Sequence, residues 1–124
     1  MKLTNQEIYM KATELSVAFT NETKKYIPVK LNFAIQKNFS TLCKAQEEIE
    51  KAKIEIAKEY GELSEDGTKY LISEDKTEQA QQELNDLFSI EQDMDIKTCS
   101  LSQIENIDLT MEQMQAIMFM ITED

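Results

Sequence analysis

The feature that most constrains this chain is an apolar run that recurs every seven positions: Ile35, Leu42, Ile49, Ile56 and then Leu63. Companion positions hold Leu31, Phe39, Ala45, Ala52 and Tyr60. A seven-residue repeat keeps one stripe on one side only if the backbone is helical. Pro28 suits the first turn of such a helix, where its missing N–H has no partner to lose. Gly61 suits the C-terminal stop. The spacing therefore predicts one helix from about 28 to 60, roughly 50 Å long at 1.5 Å per residue. Ala45 and Ala52 are small enough to let a partner helix approach closely. A helix this long in so small a chain asks for more cover than short neighbours supply. Ile35, Leu42, Ile49 and Ile56 are therefore expected to mediate self-association with the same helix of a second copy, in either parallel or antiparallel sense.

The rest of the chain reads as shorter elements around that rod. Thr4-Asn5-Gln6-Glu7 has capping-box spacing and opens a first helix, with Ile8, Ala12, Leu15 and Phe19 on one face. Asn21 to Lys25 reads as a loop, and Tyr26-Ile27 as extended before the proline. Ser64-Glu65-Asp66-Gly67 is a turn signal, followed by strand propensity from Thr68 to Ile72. Ser73 can cap a third helix from Glu74 to about Phe88, burying Ala80, Leu84 and Leu87. From Ser89 to Leu101 apolar and polar residues alternate, as in a half-buried strand that pairs with 68–72 or with 26–27. Thr110-Met111-Glu112-Gln113 repeats the capping-box spacing and opens a last helix lined by Met114, Ile117, Met118 and Ile121. With only two glycines and one proline, the many tight turns of a sandwich or barrel are out of reach. The expected fold is α+β and predominantly helical, a single domain over residues 1–124 with a small antiparallel β element.

Charge narrows the possible partners. The net charge is −11, yet Thr23 to Gln46 carries Lys24, Lys25, Lys30, Lys37 and Lys44 and no acid, so five positive charges here leave −16 on the remainder. Such a balance makes direct nucleic-acid binding an unpromising expectation, since that binding rests on neutralising phosphates. Every base is lysine; histidine, arginine and tryptophan are absent. Without histidine the usual general base and the commonest metal ligand are missing. Without arginine there is no rigid fork for phosphate or carboxylate. No glycine-rich phosphate loop can be built from Gly61 and Gly67. The expectation is a protein that is not an enzyme, with no catalytic residues, no metal and no cofactor. Cys43 and Cys99 are far apart and form no C-x-x-C pair, and no apolar run approaches a membrane span. These features read as buried, reduced thiols in a cytoplasmic protein with no membrane partner.

Several groups could form a site. Lys30, Lys37, Lys44, Lys51 and Lys58 share one heptad position and make a row along the long helix. Its plainer reading is a solvated outer face with Glu47–Lys51 as an i, i+4 pair. Its functional reading is a ridge facing an anion or a partner, strongest between Lys24 and Lys44. The candidate ligand- or partner-binding set is Lys24, Lys25, Tyr26, Lys30, Phe33 and Lys37. Glu91, Asp93 and Asp95 would share one strand face but lack the glycine and terminal glutamate of a calcium loop; they read as polar surface. Met111, Met114, Met118 and Met120 crowd the last helix, mostly as core, with Met120 off the apolar stripe and so a candidate for exposure.

The order of short motifs also matters. Met-Lys-Leu-Thr-Asn opens the chain, Ile27-Pro28-Val29-Lys30 leads into Phe33-Ala34-Ile35-Gln36-Lys37-Asn38, and the charged helix ends at Lys58-Glu59-Tyr60-Gly61. Glu65-Asp66-Gly67, Glu83-Leu84-Asn85-Asp86-Leu87 and Asp108-Leu109-Thr110 follow. In this the chain resembles a family of small phage and prophage proteins of low-GC Gram-positive bacteria, catalogued as a domain of unknown function. The resemblance implies a phage setting in the bacterial host cytoplasm and an α+β fold, and it carries over no catalytic residue. The expected function is a counter-defence or host-takeover inhibitor that binds a host protein stoichiometrically. Two alternatives stand beside it. One is a sponge for a small nucleotide signal, held by Lys24, Lys25, Lys30 and Lys37 with Tyr26 and Phe33 stacking. The other is a virion (tail) assembly accessory.

Overall fold

The computed structural model describes residues 1–20 and 27–123. The protein is α+β and mainly helical, organised around one unbroken helix, α2 (Val29–Tyr60). Pro28 caps it from outside, its carbonyl accepting the Asn32 N–H at 2.9 Å. The heptad stripe faces inward: Leu31, Ala34, Ile35, Asn38, Leu42 and Ile49 are all buried.

This burial corrects the premise behind self-association through the stripe. Ile35, Leu42 and Ile49 are 2%, 0% and 2% exposed within a single chain, and Ile56 is half-buried. The first three positions are thus covered by elements of the same chain. Each neighbour is short, but several cover successive stretches of the rod. The first is α1 (Asn5–Ala18), which packs along α2. Tyr9, near the start of α1, donates a hydrogen bond to Glu50 in the far half of α2, so the two helices run in opposite directions. Next comes α3 (Thr77–Ser89), which also lies on α2. Segments after α3 cross the near half of the rod, where Asn38 meets Lys97 and Met120.

Local signals account for most helix ends. Thr4 accepts from the Glu7 N–H and Glu7 accepts from the Thr4 N–H, the reciprocal pair that the spacing predicts. Ile8, Ala12, Leu15 and Phe19 are buried together beneath α1. Thr110 and Gln113 repeat the arrangement at α4 (Met111–Ile117). Ser73 differs from expectation: its side chain caps no backbone N–H, and a 3₁₀ turn (Glu74–Lys76) precedes α3.

The β structure is small and divided into separate pairs. Strand β1 (Lys2–Thr4) runs antiparallel to β4 (Glu91–Asp93), with Leu3 opposite Gln92. Of the alternating stretch only Glu91–Asp93 pairs with the N-terminus, and residues 70–72 pair with Gly61–Leu63 instead; Tyr26 lies outside the described residues. The hairpin of β2 (Gly61–Leu63) and β3 (Tyr70–Ile72) is antiparallel, while β5 (Cys99–Ser100) and β6 (Ile121–Thr122) are parallel. Gly67 has φ +73° in the hairpin turn, the left-handed region that glycine enters freely. Gly61 leaves α2 in extended conformation, and the reason for glycine there is space. A Cβ would lie 2.9 Å from both the Ala57 and Leu71 carbonyl oxygens.

Three buried carboxamides tie these pieces together. Asn5 donates to the Leu87 carbonyl at 2.7 Å and accepts from Gln92 at 2.7 Å. Asn38 pairs with the backbone of Lys97 in both directions, at 2.9 and 2.7 Å. Gln113 closes its own cap and reaches the Ala18 carbonyl at 3.3 Å. A buried amide left unpaired costs about 1–3 kcal/mol, so each of these contacts specifies a tertiary arrangement as well as adding attraction.

Candidate functional site

Of the residues that the sequence nominates, Lys30, Phe33 and Lys37 fall on one exposed face of α2. Their spacing of three and four residues makes them neighbours along the helix surface. Lys24, Lys25 and Tyr26 lie outside the described residues. Val29, one turn before Phe33, joins the same face. Val29 is 84% exposed and Phe33 64%, unusual for apolar residues on a helix whose other side is a tight core. Next to Val29 and Lys30 a cleft of about 360 Å³ opens toward Ile104 and Ile107, with Pro28 and Leu31 on its near wall. Val29 was not foreseen; counting outward-facing positions from Pro28 would have found it.

The lysine row is real but divided. Lys51 pairs with Glu48 at 3.6 Å and Lys58 with Glu55 at 3.6 Å, both with i, i+3 spacing. The expected Glu47–Lys51 pair is not formed. Lys30, Lys37 and Lys44 have no ion-pair partner among the described residues. The near half of the row is thus an unneutralised ridge with apolar side chains set into it, while the far half is internally balanced. Exposed lysines are strongly hydrated point charges, so the ridge attracts acidic groups over a Debye length of about 8 Å without fixing their geometry.

The other groups play different parts. Burial raises the pKa of the Cys43 thiol, with Glu47 adding to the effect, and burial raises that of Cys99. A raised pKa keeps a thiol protonated and slow to react. Asp95 pairs with Lys97 at 3.7 Å, and Glu91 and Asp93 are exposed on β4. Among the described residues no three of His, Cys, Asp and Glu cluster closely enough to hold a metal ion. No described helix is long and apolar enough to cross a membrane.

The methionines correct the expectation for the last helix. Met120 is fully buried, whereas Met111 is 79% and Met118 58% exposed. The inward stripe is Gln113, Ala116, Ile117 and Met120, one residue out of step with the predicted one. Polar Gln113 belongs to that stripe and hides it from a reading based on hydrophobicity alone.

Away from the ridge, Tyr9, Glu50, Lys53 and Phe88 form a compact cluster where α1, α2 and α3 meet. Tyr9 and Phe88 pack edge to face with centroids 5.4 Å apart, and Lys53 lies over both rings. Burial first, and then the bond to Glu50, pushes the Tyr9 pKa well above its ordinary value. Accepting that bond lowers the Glu50 carboxyl. The cluster fastens the three helices to one another.

Comparison with family models, curated proteins and solved structures gives no match.

Proposed function

We propose that this chain is a non-enzymatic, phage-encoded binding protein, a counter-defence or host-takeover inhibitor that occupies a host protein stoichiometrically. The observation that carries the reading is the ridge on α2. Val29 and Phe33 stand in water at 84% and 64% exposure, between lysines that nothing described neutralises. Leaving such side chains exposed forgoes about 1.5–3 kcal/mol apiece in burial energy. A partner that covers them recovers it, and aromatic anchors of this kind dominate binding energy at interfaces. The resemblance to small phage proteins supports the setting. A sequence with no histidine supports a role in binding over one in catalysis.

The test is capture of a host protein at one-to-one stoichiometry by the tagged full chain, compared with Phe33→Ser and Lys37→Glu variants. Both substitutions fall on the exposed face, so melting temperatures should stay within about 2 °C of wild type. The reading expects a defined partner held by the wild type and lost by the variants. Equal retention by all three, or no stoichiometric partner for any, overturns it.

A further inference from the structure

A second exposed face has the complementary character. A cleft of about 490 Å³ separates α1 from α4, lined by Thr13, Glu14, Val17, Glu112, Gln115 and Ala116. Both helices also carry exposed apolar side chains. Met10 (51%) and Val17 (56%) lie along α1, with Met111 (79%) at the start of α4 and Met118 (58%) just past its end. Neither Glu14 nor Glu112 has an ion-pair partner among the described residues. The nearby base, Lys11, is turned onto the Phe119 ring at 5.6 Å from its centroid. One face of the molecule is thus apolar with free lysines, and another is apolar with free carboxylates.

We infer that the protein associates with itself through these unlike faces, with Phe33 of one copy entering the α1–α4 cleft of another while Lys30 and Lys37 meet Glu14 and Glu112. Charge selects this pairing. At a net charge of −11, two copies repel except where the acid-free ridge meets an acidic surface. Ridge against ridge, or cleft against cleft, would set like charges together. Unlike faces can close as a pair if a two-fold axis relates the copies, so that the contact forms twice; otherwise the association runs head to tail. The inference rests on the reading above in one respect, because it makes a second copy compete with the target for the ridge. Free protein would then hold its apolar face covered until a target displaces the copy.

The experiment is the concentration-dependent solution mass of the full chain at low and high salt. Two charge reversals are compared with it: Lys30→Glu/Lys37→Glu and Glu14→Lys/Glu112→Lys. The wild type should associate, and more strongly at low salt. Each double variant alone should associate at least tenfold more weakly. Mixed together, the unchanged ridge of the second variant meets the unchanged cleft of the first, and the reversed ridge meets the reversed cleft, so both cross-contacts are complementary and association should return toward the wild-type level. Phe33→Ser should also weaken it at least tenfold with an unchanged melting temperature. A wild type that stays monomeric at millimolar concentration and low salt overturns the inference. So does association that all the variants retain, or a mixture no better than its parts. No target is present in this assay, so its failure leaves host capture untouched, and failed host capture with self-association intact overturns only the earlier reading.

Discussion

The two halves of α2 carry the same apolar spacing and meet different surroundings. From Leu31 to Ile49 the stripe is enclosed, with Leu42 at 0% exposure. Beyond it, Ile54 is 46% exposed and Ile56 only half-buried, and the hairpin that follows leaves Leu63 at 56% and Leu71 at 57%. The near half is crossed by segments far away in the chain and stapled by Asn38. The far half is covered by α3 and by a hairpin formed from the residues next to it in sequence. Apolar periodicity decides which side of a helix turns inward; chain topology decides how much of that side finds a partner.

The largest expected effect separates the two halves directly. Leu42→Ala removes a fully buried side chain from a packed site and should cost about 3–4 kcal/mol, seen as a drop in Tm of roughly 10–20 °C. Ile56→Ala, half-buried, should cost about 1 kcal/mol. Equal losses at the two positions would break the contrast.

Asn38→Leu comes next. It preserves volume but strands the Lys97 N–H and carbonyl that the amide satisfies, for a loss of about 2–3 kcal/mol. Hydrogen exchange should show the Lys97 amide losing protection first, and full protection there would mean that the staple contributes nothing.

The smallest effect lies at the boundary between the halves. Tyr9 is held above its ordinary pKa of 10.0 by burial and by Glu50, so the folded state keeps a proton that the unfolded state releases. That stability is fully present below pH 10 and declines as pH rises past it. Glu50 is lowered from 4.5 by the same bond, so its contribution is present above pH 4.5 and fades as pH falls below that. Tyr9→Phe should flatten both slopes in a urea titration series and cost about 1 kcal/mol at neutral pH. Slopes unchanged from wild type would show that the bond does not couple α1 to the far half.

Much of this architecture is visible in the sequence because its causes are local. Capping boxes need residues three apart, which is why Thr4 and Thr110 mark helix starts correctly. The stripe of α2 needs only helical periodicity. What was hidden depends on distant partners. Asn5, Asn38 and Gln113 look like surface residues until the backbone groups they bind are brought beside them. The pairing of β1 with β4 rests on three-residue strands too short to show a period. Cover for Ile35, Leu42 and Ile49 comes from several elements at once, a sum that no single stretch announces. The ridge was legible through its lysines and Phe33, and its partner-like counterpart between α1 and α4 was not, because it is assembled from opposite ends of the chain.

The ladder between Lys2 and Asp93 also governs the order of events as the chain is made. Helices α1 and α2 adjoin in sequence and can condense early as a pair, since local contacts form fast. The first strand has nothing to pair with until residue 93 has been synthesised, and closing so long a loop is entropically slow. The opening residues therefore pair late in folding, after the helices beside them. A ribosome paused before that point would carry a helical hairpin with its first strand still dangling.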